Sequence, residues 1–165
     1  MTTGGVPMQI RRVVTGHRDD GRSTVLSDAP VVGHEAMPGS TFAWLWRTTR
    51  APADNDDPTD RAADPPALTQ PNGSVLLLVD VAPGARSPLH RTRSLDYAFV
   101  LAGPVDLELD DESTTRLETG AVVVQRGTMH AWVNPGPHTA RMAYVLLDAT
   151  EPTVDGEALP AYMPA

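Results

Sequence analysis

Short apolar runs that alternate with polar residues at period 2, broken again and again by turn formers, dominate this chain. No long segment carries the 3.6-residue periodicity of an amphipathic helix, so the sequence has the material for sheets and little else. The pattern predicts strands over Gln9–Thr15, Ser23–Ser27, Thr41–Thr48, Ser74–Val81, Leu95–Leu101, Val105–Leu109, Thr114–Leu117, Ala121–Gln125, His130–Asn134 and Arg141–Leu147. Asp19-Asp20-Gly21, Pro83-Gly84, Ala102-Gly103-Pro104, Thr119-Gly120 and Pro135-Gly136-Pro137 supply the turns. Many short strands at regular spacing point to an all-β sandwich or small barrel.

Composition narrows the chemistry. The 165 residues contain no cysteine and no lysine, which removes thiolate metal ligands, thiol nucleophiles, Schiff bases and a phosphate-loop lysine. A formal charge of −8 argues against non-specific binding to nucleic acid or anionic membranes. No apolar run comes near the ~20 residues of a membrane span, and the Val75–Val79 run ends at Asp80. Met1 to Met8 lacks the basic and apolar regions of a secretory leader, so a cytoplasmic location is expected.

The length suits one domain over 1–165, with N-terminal strands in 9–48 and a core barrel in 74–147. Between them, 50–72 carries five prolines and five aspartates and reads as a surface loop. Its acids miss the spacing of a calcium loop, because Pro58 stands at a ligand position and the turn glycine is missing. The segment 151–165 reads as an extended tail packed on the barrel or on a second subunit.

The chemistry-bearing residues gather between Gly84 and Asn134. Gly84-x5-His90-x-Thr92-x3-Asp96-x6-Gly103 is followed, 16 residues on, by Gly120-x6-Gly127-x2-His130-x3-Asn134. This ordered pair resembles the two signature motifs of the cupin superfamily, Gly-x5-His-x-His-x3-4-Glu-x6-Gly and Gly-x5-Pro-x-Gly-x2-His-x3-Asn. The resemblance implies a jelly-roll β-barrel, a double-stranded β-helix, whose strands direct His90, Asp96 and His130 towards one point. Thr92 stands where the family has a second histidine, Asp96 where it has glutamate, and Gln125 where it has proline; Gly120 lies one residue closer to His130 than the pattern asks.

Two imidazoles and a carboxylate suit iron(II), manganese, nickel or zinc with positions left open, and His90, Asp96 and His130 are the expected metal ligands. Asp96 has a second role open to it, as hydrogen-bond partner to His90 or Thr92. Arg91 and Arg126 are the candidates to orient an anionic substrate, although alternation turns Arg91 and Arg93 away from the His90 face, where salt bridges are the simpler fate. Trp132, Thr92, Asn134 and Trp46 are candidate substrate contacts, the tryptophans as a wall for a flat ring. His17 and His138 read as exposed, and His34 lies within reach of the barrel mouth.

The phrases from His90 to Tyr97 and from Val124 to Asn134, with the opening Arg11 to Ser23, are similar to small single-domain cupins, some found beside aromatic polyketide genes. That similarity implies a metal-dependent decarboxylase or lyase acting on a hydroxyaromatic or β-keto acid. A non-haem iron dioxygenase and a non-catalytic small-molecule binding cupin are the alternatives. Relatives of this kind commonly pair through edge strands, so a homodimer is expected.

Overall fold

The computed structural model describes residues 8–164, so the leader reading of the first residues and the end of the tail lie outside it. The chain runs β1 (Gln9–His17), β2 (Ser23–Val32), β3 (His34–Met37), β4 (Ser40–Thr48), β5 (Ser74–Val81), β6 (Ser94–Ala102), β7 (Val105–Leu109), β8 (Thr114–Leu117), β9 (Val122–Arg126), β10 (His130–Val133), β11 (Ala140–Asp148), β12 (Thr153–Val154) and β13 (Glu157–Ala158). A 3-10 turn at Arg61–Ala63 is the one helical element among the described residues. The architecture is the all-β one that the period-2 patterning predicts. Seven of the ten expected strands shift by one residue or more, the largest change being β2, which runs on to Val32. It does so through Pro30, which an outer strand of a two-stranded hairpin tolerates.

Six strands form the main sheet in the order β3-β4-β5-β11-β6-β9, and three form the opposing one, β10-β7-β8. Bridges from Arg86 to Val133 and from His90 to His130 add the 86–90 segment to the smaller sheet beside β10. Two core clusters lie between the sheets. One is built on Phe42, Leu77, Val79, Val81 and Leu146, and the other on Ala98, Val100, Val105, Trp132 and Met142. Along β11 the inward set is Met142, Tyr144 and Leu146, spaced by two as a half-buried strand requires.

The β1–β2 hairpin lies on the outer face of the main sheet, where Met8, Ile10 and Val31 cover Ala43, Leu45, Leu76 and Leu78. Both faces of β5 are therefore covered, which accounts for its unbroken apolar run. The hairpin leaves the outer face of β6 and β9 bare, with Tyr97, Phe99, Leu101, Val122 and Val124 all exposed.

The 50–72 segment crosses the surface as a loop, but it is tied down. Asp60 pairs with Arg12, Arg47 donates to the Pro65 carbonyl (3.2 Å) and Trp44 Nε1 donates to the Ala67 carbonyl (2.9 Å). These anchors bring Leu68 against the inner core.

Candidate active site

His90 and His130 are cross-strand neighbours. Each backbone N–H donates to the other's carbonyl at 2.9 Å, which sets the two residues directly opposite and sends both side chains to the same face. The ring centroids lie 4.3 Å apart. His90 Nδ1 meets the Pro88 carbonyl and His130 Nδ1 meets the Thr128 carbonyl, each at 2.9 Å. A carbonyl only accepts, so each Nδ1 carries the proton and each Nε2 keeps its lone pair. Burial keeps both rings neutral: it pushes the His130 pKa down to about 4, helped by the neighbouring His90, and lowers that of His90 as well.

The pair forms part of the lining of a cavity between the two sheets, with about 570 Å³ of empty space up to its open mouth. Phe42, Leu77, Val79, Trp132, Tyr144 and Leu146 make most of its wall, and Met37 and Leu68 belong to it too. Trp132 stands edge-on between His130 (5.7 Å) and Tyr144 (5.8 Å). Ser87 accepts the Trp132 amide at 2.9 Å and so fixes the strand that carries the ring. Tyr144 donates to Met142 Sδ, and full burial pushes its phenol pKa up.

Asp96 and Thr92 share the cavity. Thr92 Oγ1 donates a long bond (3.4 Å) to Asp96 Oδ2, whereas Asp96 Oδ1 has no partner. Burial pushes the Asp96 pKa up to about 6, against the pull of the Ser94 and Thr92 hydroxyls. Among the described residues no three His, Asp or Glu side chains come together as a metal-holding group.

The cupin domain family matches residues 77–147 of this chain. Among curated proteins, the phomopsin biosynthesis cluster protein C' of Diaporthe leptostromiformis is 38% identical over 162 residues, covering 90% of this chain and 83% of the relative. The cupin-domain-containing oxidoreductase fogC of Aspergillus ruber is 35% identical over 164 residues, covering 94% and 80%. The chain belongs to the cupin family. Its barrel also matches the polyketide cyclase RemF of Streptomyces resistomycificus at a TM-score of 0.52 and 22% identity, covering 79% of this chain and 78% of that one, a likeness of fold.

Against the cupin pattern, the structure sorts the residues that the sequence singled out. It brings His90, His130, Thr92, Asp96 and Trp132 to one cavity and leaves four others away from it. Arg126 is exposed on β9. Arg91 is pinned by the tail: its backbone pairs with Tyr162 on both sides and its guanidinium donates to the Pro160 carbonyl. Its neighbours Arg86 and Arg93 face Glu108 and Asp148 as surface ion pairs. Trp46 sits past a bulge between Trp44 and Trp46, which moves it to the outer side under Arg12, whereas Phe42 keeps the inner one. Asn134 is fully buried and spent on structure, donating to the Val81 and His138 carbonyls and accepting from the Gly136 amide.

Tyr144, Ser87, Met37 and Leu68 line the cavity without having been singled out. Tyr144 was within reach of the sequence, because alternation along Arg141–Leu147 places it with Met142 and Leu146. Leu68 carries no such signal, since loop anchoring alone brings it there.

Proposed function

We propose that this cupin is a metal-dependent small-molecule enzyme whose cavity takes a largely apolar, ring-bearing substrate. The observation that carries the reading is the His90–His130 pair, two neutral imidazoles oriented through Nδ1 and held side by side in an apolar pocket. Fixing Nδ1 on a carbonyl is how proteins set a histidine to ligate through Nε2. These two residues fit a divalent transition metal, and the open positions go to water or substrate. Iron, manganese, nickel or zinc there would supply Lewis acidity, and iron also reactivity with dioxygen.

The protein's own part is to bind and to exclude water. Trp132, Phe42 and Tyr144 offer ring faces and edges, and Leu77, Val79 and Leu146 close the remaining wall. Among the described residues no arginine lines the cavity, and Arg91 and Arg126, the side chains expected to grip a carboxylate, lie elsewhere. An oxidation of a neutral or phenolic substrate therefore fits this pocket better than loss of carbon dioxide from an anionic one, and the relatives named oxidoreductases agree with that reading. Decarboxylase or lyase chemistry is the second reading, favoured by the Asp96 carboxyl, which could return a proton to a carbanion.

Elemental mass spectrometry of untagged protein tests the proposal. Near-stoichiometric metal is expected in the native chain and its loss in both His90→Ala and His130→Ala. Metal that is absent, or indifferent to both substitutions, would sink the metal reading and favour a binding module. Oxygen uptake by the iron form, against carbon dioxide release without oxygen, separates oxidoreductase from decarboxylase. The bare outer face of β6 and β9 further supports a homodimer, with a second copy covering Tyr97, Phe99 and Val124. Among the described residues no helix is long and apolar enough to cross a membrane.

A further inference from the structure

One polar group in the cavity is left unserved by the protein. Asp96 is only 4% exposed, its Oδ1 has no hydrogen-bond partner, and its Oδ2 receives only the 3.4 Å bond from Thr92. Ser94 Oγ, two residues away, is also buried without a partner. Native folds leave few buried oxygens in this state, and each calls for an explanation.

Beside the carboxyl, Thr92 apart, only the Ser94 hydroxyl is at hand, and it pulls on Asp96 without completing a hydrogen bond; no side chain across the cavity supplies the missing donor. Among the described residues no arginine lines the cavity, and the chain has no lysine. Both imidazoles have committed their Nδ1 protons to backbone carbonyls, and the Tyr144 hydroxyl points its proton at Met142 Sδ. Nor does Asp96 join the histidines as a third ligand. The terminal torsion of aspartate is soft, so a small turn about χ2 presents either carboxyl oxygen to a group in the cavity.

We propose that Asp96, backed by Thr92 and Ser94, is the seat of a substrate hydroxyl, so that the site selects a hydroxylated ring over the same ring without a donor. This rests on the reading of the cavity as a substrate site, and it makes Asp96 a specificity-determining residue in place of a metal ligand. The apolar wall takes the ring, and the one unserved acceptor marks where the ring must carry an O–H.

Calorimetric titration of metal-free protein with 2-naphthol and with 2-methoxynaphthalene tests it, because the second ligand keeps the rings and loses the donor. The native protein is expected to bind 2-naphthol about tenfold more tightly, the worth of one hydrogen bond to a charged or polar partner. Asp96→Leu should erase that preference while leaving 2-methoxynaphthalene affinity within about twofold. Asp96→Asn, which keeps an acceptor oxygen and a near-native shape, should retain part of it and serves if the leucine variant does not fold. A preference that survives in whichever variant folds, or is missing from the native protein, overturns the Asp96 seat alone. Failure of both naphthalenes to bind overturns the substrate-site reading and the seat with it. Metal content, read on the same variants, should stay at the native level in Asp96→Asn, and its loss would return Asp96 to the ligand set.

Discussion

Replacing Asp96 by asparagine should change how the stability of the metal-free protein depends on pH. Burial raises the Asp96 pKa from 3.8 to about 6, so the folded state holds its proton more tightly than the unfolded chain does. At about 1.4 kcal/mol for each tenfold in proton affinity, that difference is worth about 3 kcal/mol. The sign follows from linkage: the folded state binds more protons between the two values, so stability falls as pH rises through this window, and the full cost is present above about 6. His130 acts the other way. Its pKa falls from 6.5 to about 4, so the unfolded state binds more protons there and stability is lost as pH drops from 6.5 towards 4.

In the native chain the two terms largely offset one another between pH 4 and 6. Asp96→Asn removes the first and leaves the second. Urea unfolding at a series of pH values from 4 to 8, with chelator present, should find the variant up to about 3 kcal/mol more stable than native at pH 8. That advantage should shrink towards zero near pH 4. Taking the difference between the two proteins cancels the surface carboxylates, such as Asp28 and Asp111, that both share. A difference that stays constant across the series would mean that the carboxyl at Asp96 is as well solvated in the fold as in the unfolded chain, and the argument for an unserved acceptor would fail with it.

Two further outcomes follow from the packing. Asn134→Ala leaves two carbonyls and one amide without partners at a fully buried position, and should cost about 2–4 kcal/mol in chemical denaturation while leaving the metal content of the folded protein unchanged; a loss under about 1 kcal/mol would refute its structural role. Phe99→Glu, set in the bare face of β6 and β9, should convert a dimer to a monomer in sedimentation experiments, and a native chain that is already monomeric would remove the case for that face as an interface.

What the sequence disclosed, and what it hid, divides along a physical line. Period 2 was visible where a strand has one face inward, as in Val105–Leu109, and an unbroken apolar run marked Ser74–Val81, which is covered on both faces; both are placed to the residue, as is Thr114–Leu117. Alternation also set His90 with Thr92 and His130 with Trp132, and both pairs reach the cavity. Trp46 escaped the same logic because one extra residue in β4 reverses the faces, and a bulge leaves no mark in composition. Arg91 escaped because what claims it, the backbone at Tyr162, is distant in sequence. Strand periodicity reports which side a residue faces; it does not report what arrives from elsewhere to meet it.

The departures from the cupin motif gain their meaning from that distinction. Taken singly, Thr92 for histidine and Asp96 for glutamate read as two weakened ligands. In the fold they form one unit: the Thr92 hydroxyl donates to the Asp96 carboxylate, in the same cavity as the imidazole pair. With both replaced, the cavity holds two neutral imidazoles and one buried carboxyl, which on the reading proposed above serve a metal and the group that binds beside it.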